Sequence, residues 1–442
     1  MGDGAKFIKD VSFMSIWNIA SSFISVFSFY FITNLLGPTE YGKYSLAISL
    51  ITTVSLAVYA GVNETLLRFS AITKEKKLIK QCIKIQYIFG FIALIGFLVL
   101  SRFIDNIYNK PINIIIIIGS LSFLFTPLVE SVQNLSIGRR NVKNLIYLSL
   151  SNQLLLIILA ISLFFLNFKT AIAMSVVYFI VSIFNFIQAK HLLNKLDYEE
   201  DGKYNKKEIV NYIKHGFLFG IFKNIYFQSA LIVGAKFIDI TKIGYYTFSI
   251  SIATVSLFTI TNAMHLIAVP YITTFYEKKE LKRVNSYFNA SVKLGLIISI
   301  IISLVLYFFL KIFLKYLFPK YTPAITILPY IFFAYILLNF NATMVFLKAK
   351  GYIYILTIIS IISTVFSLIN SYILSKYFGF KGMIISLIIN IIFTSALSWY
   401  YAYKKLKLKF ILIPTKEEIE VFKLYSRLFF NKILSRFIRK NN

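Results

Sequence analysis

Long apolar runs alternate with short polar segments along almost the whole chain. About twelve of these runs have the length of a membrane-spanning helix, which needs about 20 mostly apolar residues. The pattern therefore predicts an all-α membrane protein with about twelve transmembrane helices, the first of which is a true span and not a cleavable signal peptide. The predicted spans lie near 11–36, 43–67, 82–101, 112–137, 145–166, 170–189, 212–235, 243–270, 286–312, 322–347, 353–375 and 382–403.

The two halves of the chain resemble each other. Residues 37–49 and 239–251 both carry Gly-x-Tyr-[Ser/Thr] at the start of a Ser- and Thr-rich helix, so that Gly42 corresponds to Gly244. Six spans per half put corresponding elements on the same side, so the predicted repeat is parallel, with its axis along the membrane normal and a cavity between the halves. We expect six-helix lobes at 1–190 and 208–403, with a cytoplasmic linker at 191–207. Chance similarity of apolar sequences is the alternative.

Charge placement predicts the orientation. The 442 residues are 58% hydrophobic, with a mean hydropathy of +0.74 and a net charge of +29. Lys and Arg are roughly threefold more frequent in the loops of one side, which predicts that both termini are cytoplasmic and that the protein lies in the cell membrane. Much of the charge is then a topology signal and an attraction to anionic lipids, and nucleic acid is not an expected partner. Cys82 is the single cysteine, so no intrachain disulfide can form.

The basic tail at 404–442 differs from the rest of the chain. Thr415 and Glu418 resemble a capping box, and apolar residues from Ile419 to Phe437 fall near one helical face. This pattern predicts an amphipathic helix on the cytoplasmic leaflet. A frayed basic tail is the alternative.

Known catalytic patterns are missing from the sequence. It has no metal-ligand spacing, no phosphate-cradling loop and no nucleophile constellation, and the three histidines are scattered. We therefore expect no enzyme activity, no cofactor and no metal. The candidates for function are instead ionisable residues inside the spans, which are costly in hydrocarbon and usually face a cavity.

Lys223 is the clearest of these residues. It lies about nine residues into the seventh span, near mid-depth at about 1.5 Å per residue. We predict that Lys223 faces the central cavity, whereas snorkelling to the interface is the alternative. Glu64 and Arg68 lie one turn apart in the second span, where they can form an i,i+4 pair or contact a substrate.

Other polar residues in the spans complete the candidate set. Glu130 follows Pro127 in the fourth span, where it can titrate in an H+ or Na+ coupling cycle, as can Glu64, or simply hydrogen-bond across helices. Lys293 lies in the inner third of the ninth span and can snorkel. Amides that can line the cavity, many of them as ordinary interhelical contacts, are Asn18, Gln133, Asn152, Gln153, Gln228 and Asn262.

Particular motifs resemble a known family. They are Leu35-Leu36-Gly37-Pro38-x-x-Tyr41-Gly42-x-Tyr44-Ser45, the helix end Gly61-x-x-x-x-Leu66-x-Arg68-Phe69, His215-Gly216 and Ile243-Gly244-Tyr245-Tyr246-Thr247. These stretches resemble the Wzx-type polysaccharide flippases, which belong with the multidrug and toxin extruders. The resemblance implies a V-shaped, MATE-like transporter with two six-helix lobes and alternating access.

The resemblance also implies a substrate and partners. The substrate would be an oligosaccharide linked to undecaprenyl pyrophosphate and moved to the outer leaflet for surface polysaccharide, with a polymerase and glycosyltransferases as partners. Lys223, Arg68, Asn18, Gln228 and Asn262 would bind it in the central cavity. Family members often carry an Asp-Arg pair late in the seventh span, where this chain has Ser229-Ala230, so that charged site does not carry over.

Two other functions remain open from the sequence. A multidrug-type small-molecule antiporter would need carboxylates for organic cations, and the candidates are Glu64 and Glu130 against Lys223 and Arg68. A membrane-embedded polysaccharide polymerase or ligase is disfavoured by the short external loops and by the two-lobe repeat. A lipid II flippase would usually have fourteen spans.

Overall fold

The structure is a computed structural model that describes residues 3–70, 76–139, 141–196, 206–258, 276, 280–410 and 418–419. Its first half contains α1 and α2 (3–36 and 38–69, within Asp3–Phe69), α3 (Lys76–Tyr108), α4 (Asn113–Ser120, Leu121–Leu124 and Thr126–Gly138), α5 (Val142–Phe165) and α6 (Ala171–Asn194). Its second half contains α7 (Lys206–Gly234), α8 (Ile240–Ala253, extended by a π turn at Thr254–Phe258), α9 (Leu281–Leu317), α10 (Leu328–Leu337, Leu338–Asn341 and Ala342–Ala349), and α11 and α12 (353–378 and 380–406, within Ile353–Leu406).

The predicted all-α membrane architecture is confirmed. Eight of the described helices are long and apolar enough to cross a membrane. Two of these eight are the merged helices α1–α2 and α11–α12, and each of them contains two passes. The two parts of α4 form a further span that is bent by 53°. With α8, which is described as far as Phe258, the passes match the twelve predicted runs.

Glycines reverse the chain inside the two merged helices. Gly37 has φ +68° and Gly379 has φ +56°, a left-handed region that glycine enters without a Cβ penalty. The rings of Phe29 and Tyr41 lie 6.3 Å apart across the first reversal. The rings of Phe366 and Phe393 stack at 3.9 Å across the second. Each merged helix is therefore a hairpin of two antiparallel helices.

Side-chain caps fix where several helices begin. The Asn141 side chain accepts a hydrogen bond from the backbone N–H of Asn144, and Thr170 accepts one from Ala173. Asp239 accepts one from Thr241 at 2.8 Å. Each cap satisfies a backbone donor that the first helical turn leaves free, so α5, α6 and α8 begin directly after short polar loops.

A reciprocal contact relates the two halves. Thr39 and Thr241 are 202 residues apart, and their hydroxyls share a hydrogen bond of 2.9 Å. A Cβ atom at Gly42 would collide with the carbonyl of Ile240, and one at Gly244 would collide with the carbonyl of Pro38, which is the same pair of positions exchanged. Such exchange is the signature of a twofold axis. The correspondence of residues 37–49 and 239–251 predicted from the Gly-x-Tyr motifs is thus confirmed.

The helices around this contact are packed together, and we call this side of the molecule the Gly37 end. Asn34 donates a hydrogen bond to the carbonyl of Leu317 at 3.0 Å, and Tyr321 donates one to the carbonyl of Thr33 at 3.3 Å. Buried apolar residues from both halves, including Leu46 and Phe248, form one continuous cluster here. The six-helix lobes are therefore joined at the Gly37 end.

Lys110 adds a polar contact between the lobes. It lies in the loop between α3 and α4, and its Nζ donates to the carbonyls of Ala235 at 2.5 Å and Tyr108 at 3.0 Å. Burial lowers the pKa of Lys110, and the nearby Asp239 carboxylate opposes this shift. Two carbonyl acceptors compensate the cost of burying this ammonium group.

The segment after α12 folds back onto α9. Asn285 accepts a hydrogen bond from the N–H of Lys409 at 2.7 Å, and Asn289 donates one to the Lys409 carbonyl at 2.8 Å. One further turn along, Lys293 forms an ion pair of 2.5 Å with Glu418, with side-chain exposures of only 10% and 1%. Lys293 is thus buried and paired, and does not snorkel as its place in the span would have allowed. Apart from Glu418 and Ile419, the predicted amphipathic helix of the tail lies outside the described residues.

Candidate functional site

Small residues bring the two lobes together along α2 and α7. A Cβ atom at Gly61 would collide with the carbonyl of Ile213, and one at Gly220 would collide with the side chain of Ala60. Gly216 lies close to the Cα atom of Gly61. Larger side chains would push the helices apart, because backbones approach closely only over small residues. The sequence thus places the next polar side chains of α2 and α7 beside the lobe interface.

Glu64 forms the ion pair that crosses this interface. Its Oε1 atom lies 2.8 Å from the Nζ atom of Lys348, which is near the end of α10 in the other lobe. The side chains are 20% and 45% exposed, so the pair is partly open to its surroundings. We call this side of the molecule the Lys348 end. The structure pairs Glu64 with a residue 284 positions away, and the side chain of Arg68, its candidate i,i+4 partner, lies outside the described residues.

Lys223 lies on the same face of α7 as the glycines that contact α2. It follows Gly220 by three residues and Gly216 by seven, which are spacings of one helical face. Its side chain is exposed, and its Nζ atom lies 5.5 Å from the ring centre of Phe219. Gly216, two turns earlier on the same face, lies against the side chain of Glu64, so the charges of Glu64 and Lys348 act on Lys223 from beyond ion-pair distance. These three residues form a charged cluster at the lobe interface, which we call the interlobe cluster.

The interlobe cluster carries an excess of positive charge. The cluster holds two ammonium groups and one carboxylate, and Lys223 has no ion-pair partner within the part of the chain that the structure describes. A group with two or more negative charges would complete this arrangement and would compete with Glu64 for the lysines. Such an anion would meet Lys223 and Lys348 as mobile point charges on flexible side chains.

A second polar cluster lies within the first lobe. Asn63 on α2 donates a hydrogen bond from Nδ2 to Glu130 Oε2 at 3.0 Å. The Oδ1 atom of Asn63 accepts one from Gln86 Nε2 at 2.6 Å, and Gln86 in turn accepts one from the hydroxyl of Ser131. The chain of contacts joins α2, α3 and α4. Asn63 and Glu64 are consecutive in α2. Asn63 contacts the first lobe through Glu130, whereas Glu64 contacts the second lobe through Lys348.

The remaining candidate residues are distributed. Gln228 is half-buried on α7, five residues after Lys223. Asn152 bonds to Asn185 at 3.1 Å, and Gln153 donates to Ser25 at 3.0 Å, which are ordinary contacts between helices. Ser229 and Ala230 are buried. The side chains of Asn18 and Arg68, and Asn262 as a whole, lie outside the described residues.

The sequence did not single out Lys348. It lies at the end of a span beside Lys350, and its charge was counted with the topology signal of that loop. The one available clue was its position near the Lys350-Gly351-Tyr352 turn after the tenth span. Among the described residues, no group of three or more His, Cys, Asp or Glu side chains could hold a metal ion.

Comparisons with known proteins give a family and a fold. Residues 31–318 match the model of the family described as polysaccharide biosynthesis protein. No protein of curated function matches the sequence significantly.

Solved transporter structures cover nearly the whole chain. An inward-facing multidrug resistance MATE transporter of the MOP superfamily is 14% identical with a TM-score of 0.69, covering 89% of this chain and 98% of that one. A MOP transporter from Pyrococcus furiosus, described as having a binding pocket of reverse polarity that suggests a different function, is 14% identical with a TM-score of 0.66, covering 92% and 96%. A Vibrio cholerae MATE transporter in the bent form is 16% identical with a TM-score of 0.62, covering 91% and 98%.

Proposed function

We propose that this chain, which belongs to the polysaccharide biosynthesis protein family, is a flippase for an anionic, lipid-linked oligosaccharide. The family and the MATE-like fold are those of multi-pass membrane transporters. The observation that carries the proposal is the positive interlobe cluster, in which Glu64 pairs with Lys348 and Lys223 adds a second cation. An undecaprenyl-pyrophosphate carrier has the matching headgroup.

The chemistry of the headgroup explains why cations at the lobe interface matter. A pyrophosphate is multiply charged and must leave water to cross between leaflets, at a cost that rises steeply as the dielectric constant falls. Lysines at the lobe interface offset part of this cost, and amides such as Gln228 can bind sugar hydroxyls. The lipid chain stays in the bilayer while the lobes move around the headgroup. Arg68, Asn18 and Asn262 remain candidates for the same site.

The orientation follows from the charge bias of the loops. We propose that the Lys348 end faces the cytoplasm, because Lys and Arg concentrate in the loops of that side. Both termini are then cytoplasmic, and the protein lies in the cell membrane. In this orientation the Gly37 end, where the lobes are packed together, is external. The basic tail meets anionic lipids, and glycosyltransferases and a polymerase act before and after the flipping step.

The proposed role is transport and not catalysis. The described side chains near the lobe interface are an ion pair, a lysine and amides, which can bind and release an anion without bond chemistry. A multidrug-type antiporter for organic cations is the second candidate. The excess of lysines over carboxylates in the interlobe cluster argues against it, because like charges repel.

The test is complementation with matched variants. Cells that lack their own flippase would express Lys223→Ala, Lys348→Ala or the control Lys376→Ala, an exposed lysine at the end of α11 whose ammonium lies over the rings of Tyr372 and Tyr377. Loss of one charge-assisted contact of about 1.5–3 kcal/mol would reduce flipping about 10- to 100-fold. Lys223→Arg should retain activity because the charge remains. Wild-type surface glycan with both Ala variants at matched expression would refute the proposed site.

A further inference from the structure

Glu130 lies directly after a break in a transmembrane helix. The two parts of α4 are bent by 53°, with a 3-10 turn at Leu121–Leu124 between them. Glu130 is the fourth residue after Thr126, where the second part begins, and its side chain is half-buried. Broken spans are where transporters commonly bind coupling ions, because the local backbone can adjust.

The surroundings of Glu130 are polar but uncharged. Its described hydrogen-bond partner is Asn63, and no ion pair involves it among the described residues. The titratable groups that face it are the phenols of Tyr59 on α2 and Tyr178 on α6, with Tyr87 on α3 beside Tyr59. The ionisable side chains at the start of α5, Lys143 and Tyr147, are exposed. A carboxylate in a span with no cation beside it is costly, and a proton removes that cost.

The donor geometry favours a proton over a metal cation. Asn63 directs its NH2 group towards Glu130, and its oxygen is already bound to Gln86. The oxygen of Gln86 is bound to Ser131. A bound Na+ would need several oxygen ligands directed at one point, as hard cations do. The network instead presents a hydrogen-bond donor to the carboxylate.

The corresponding span α10 also contains a 3-10 turn, at Leu338–Asn341, followed by the helix Ala342–Ala349. That helix carries no carboxylate. The carboxylate of Glu130 is therefore present in only one of the two corresponding spans.

We propose that Glu130 is a proton-binding site, and that its protonation state reaches the Glu64–Lys348 contact through Asn63. A proton from solution binds the carboxylate and changes its charge from −1 to 0, so the charge-assisted hydrogen bond from Asn63 becomes a weaker neutral one. Asn63 and Glu64 are adjacent on α2, so a shift of α2 at Asn63 also moves the interlobe ion pair. The proton-binding half of the proposal stands without the proposed function, whereas the coupling half rests on it.

Infrared difference spectroscopy on the full-length protein in nanodiscs tests the proton site directly. We expect a protonated-carboxyl C=O band that grows as the buffer is made acidic and disappears in Glu130→Gln. The matched control is Glu280→Gln, a surface glutamate that pairs with Arg283 and should leave the band unchanged. An identical titration in wild type and Glu130→Gln would overturn the proposal. So would loss of the band on adding sodium at constant pH, which would indicate a sodium site.

Transport in proteoliposomes with an imposed pH gradient tests the coupling. The gradient should change the wild-type rate of lipid-linked oligosaccharide flipping severalfold, and Glu130→Gln should flip at one rate with or without it. A gradient effect that survives in Glu130→Gln would overturn the coupling while the flippase assignment stands. No flipping by the wild type would count against the proposed function and the coupling, and the infrared result would still decide whether Glu130 binds a proton.

Discussion

The buried ion pair between Lys293 and Glu418 gives a sharp test of how the C-terminal segment is held. The Nζ and Oε2 atoms lie 2.5 Å apart, and the side chains are 10% and 1% exposed. Lys293→Met or Glu418→Leu alone leaves an uncompensated buried charge, which costs about 3–5 kcal/mol. The double variant replaces both charges with apolar groups and should cost much less, so the two substitutions should show a coupling of several kcal/mol in a double-mutant cycle.

The surface pair of Glu280 and Arg283 is the matched control for this measurement. Its side chains are 34% and 63% exposed, and its N–O distance is 2.9 Å. Exposed pairs contribute about 0–1 kcal/mol, so Glu280→Leu and Arg283→Met should have small, additive effects. Equilibrium unfolding in mixed detergent micelles would measure the free energy of unfolding of all these variants. Single substitutions of Lys293 and Glu418 that cost less than the surface control, or that add without coupling, would refute the reasoning.

Three further predictions concern the Gly37 end and the topology. Gly42→Ala should weaken the packing of the lobes, because its Cβ atom would meet the Ile240 carbonyl, and Gly96→Ala, which has open space, is the control; equal thermal stability in the two would contradict this. Thr39→Cys with Thr241→Cys, in a Cys82→Ala background, should form a disulfide that stops transport until it is reduced; transport that continues while crosslinked would mean that this end need not open. Cysteine labelling should place Asn109 outside and Lys76 inside, and labelling of both from one side would break the assigned topology.

The periodic parts of the fold were predictable from the sequence. Span positions follow from apolar length, which hydrocarbon thickness fixes, and the repeat follows from paired Gly-x-Tyr motifs that need close backbone contact. The 3-10 turns inside α4 and α10 were not predicted, because a short change in backbone winding leaves the hydropathy of a span unchanged.

The candidate site was only partly predictable. Lys223 and Glu64 stood out because charge inside a span is rare, but the partner of Glu64 was not foreseen. Lys348 lies 284 residues away and joins the cluster only when the lobes meet. Lys293 resembled a snorkelling lysine because its partner, Glu418, belongs to a tail that patterning assigned to the membrane surface. Local spacing cannot reveal contacts that depend on how distant helices pack.

The reciprocal contact of Gly42 and Gly244 has an evolutionary consequence. If two separate copies of a six-helix chain met in this way, each position near the axis would occur on both sides, and every mutation there would act twice. Fusion into one chain lets the copies diverge independently. Tyr41 and Ile243 occupy corresponding positions and have diverged, whereas both glycines remain at the close backbone approach. The second part of α4 carries Glu130, whereas the second part of α10, Ala342–Ala349, has no carboxylate. Duplication therefore left the junction symmetric while it freed one half to acquire an ionisable group that the other half lacks.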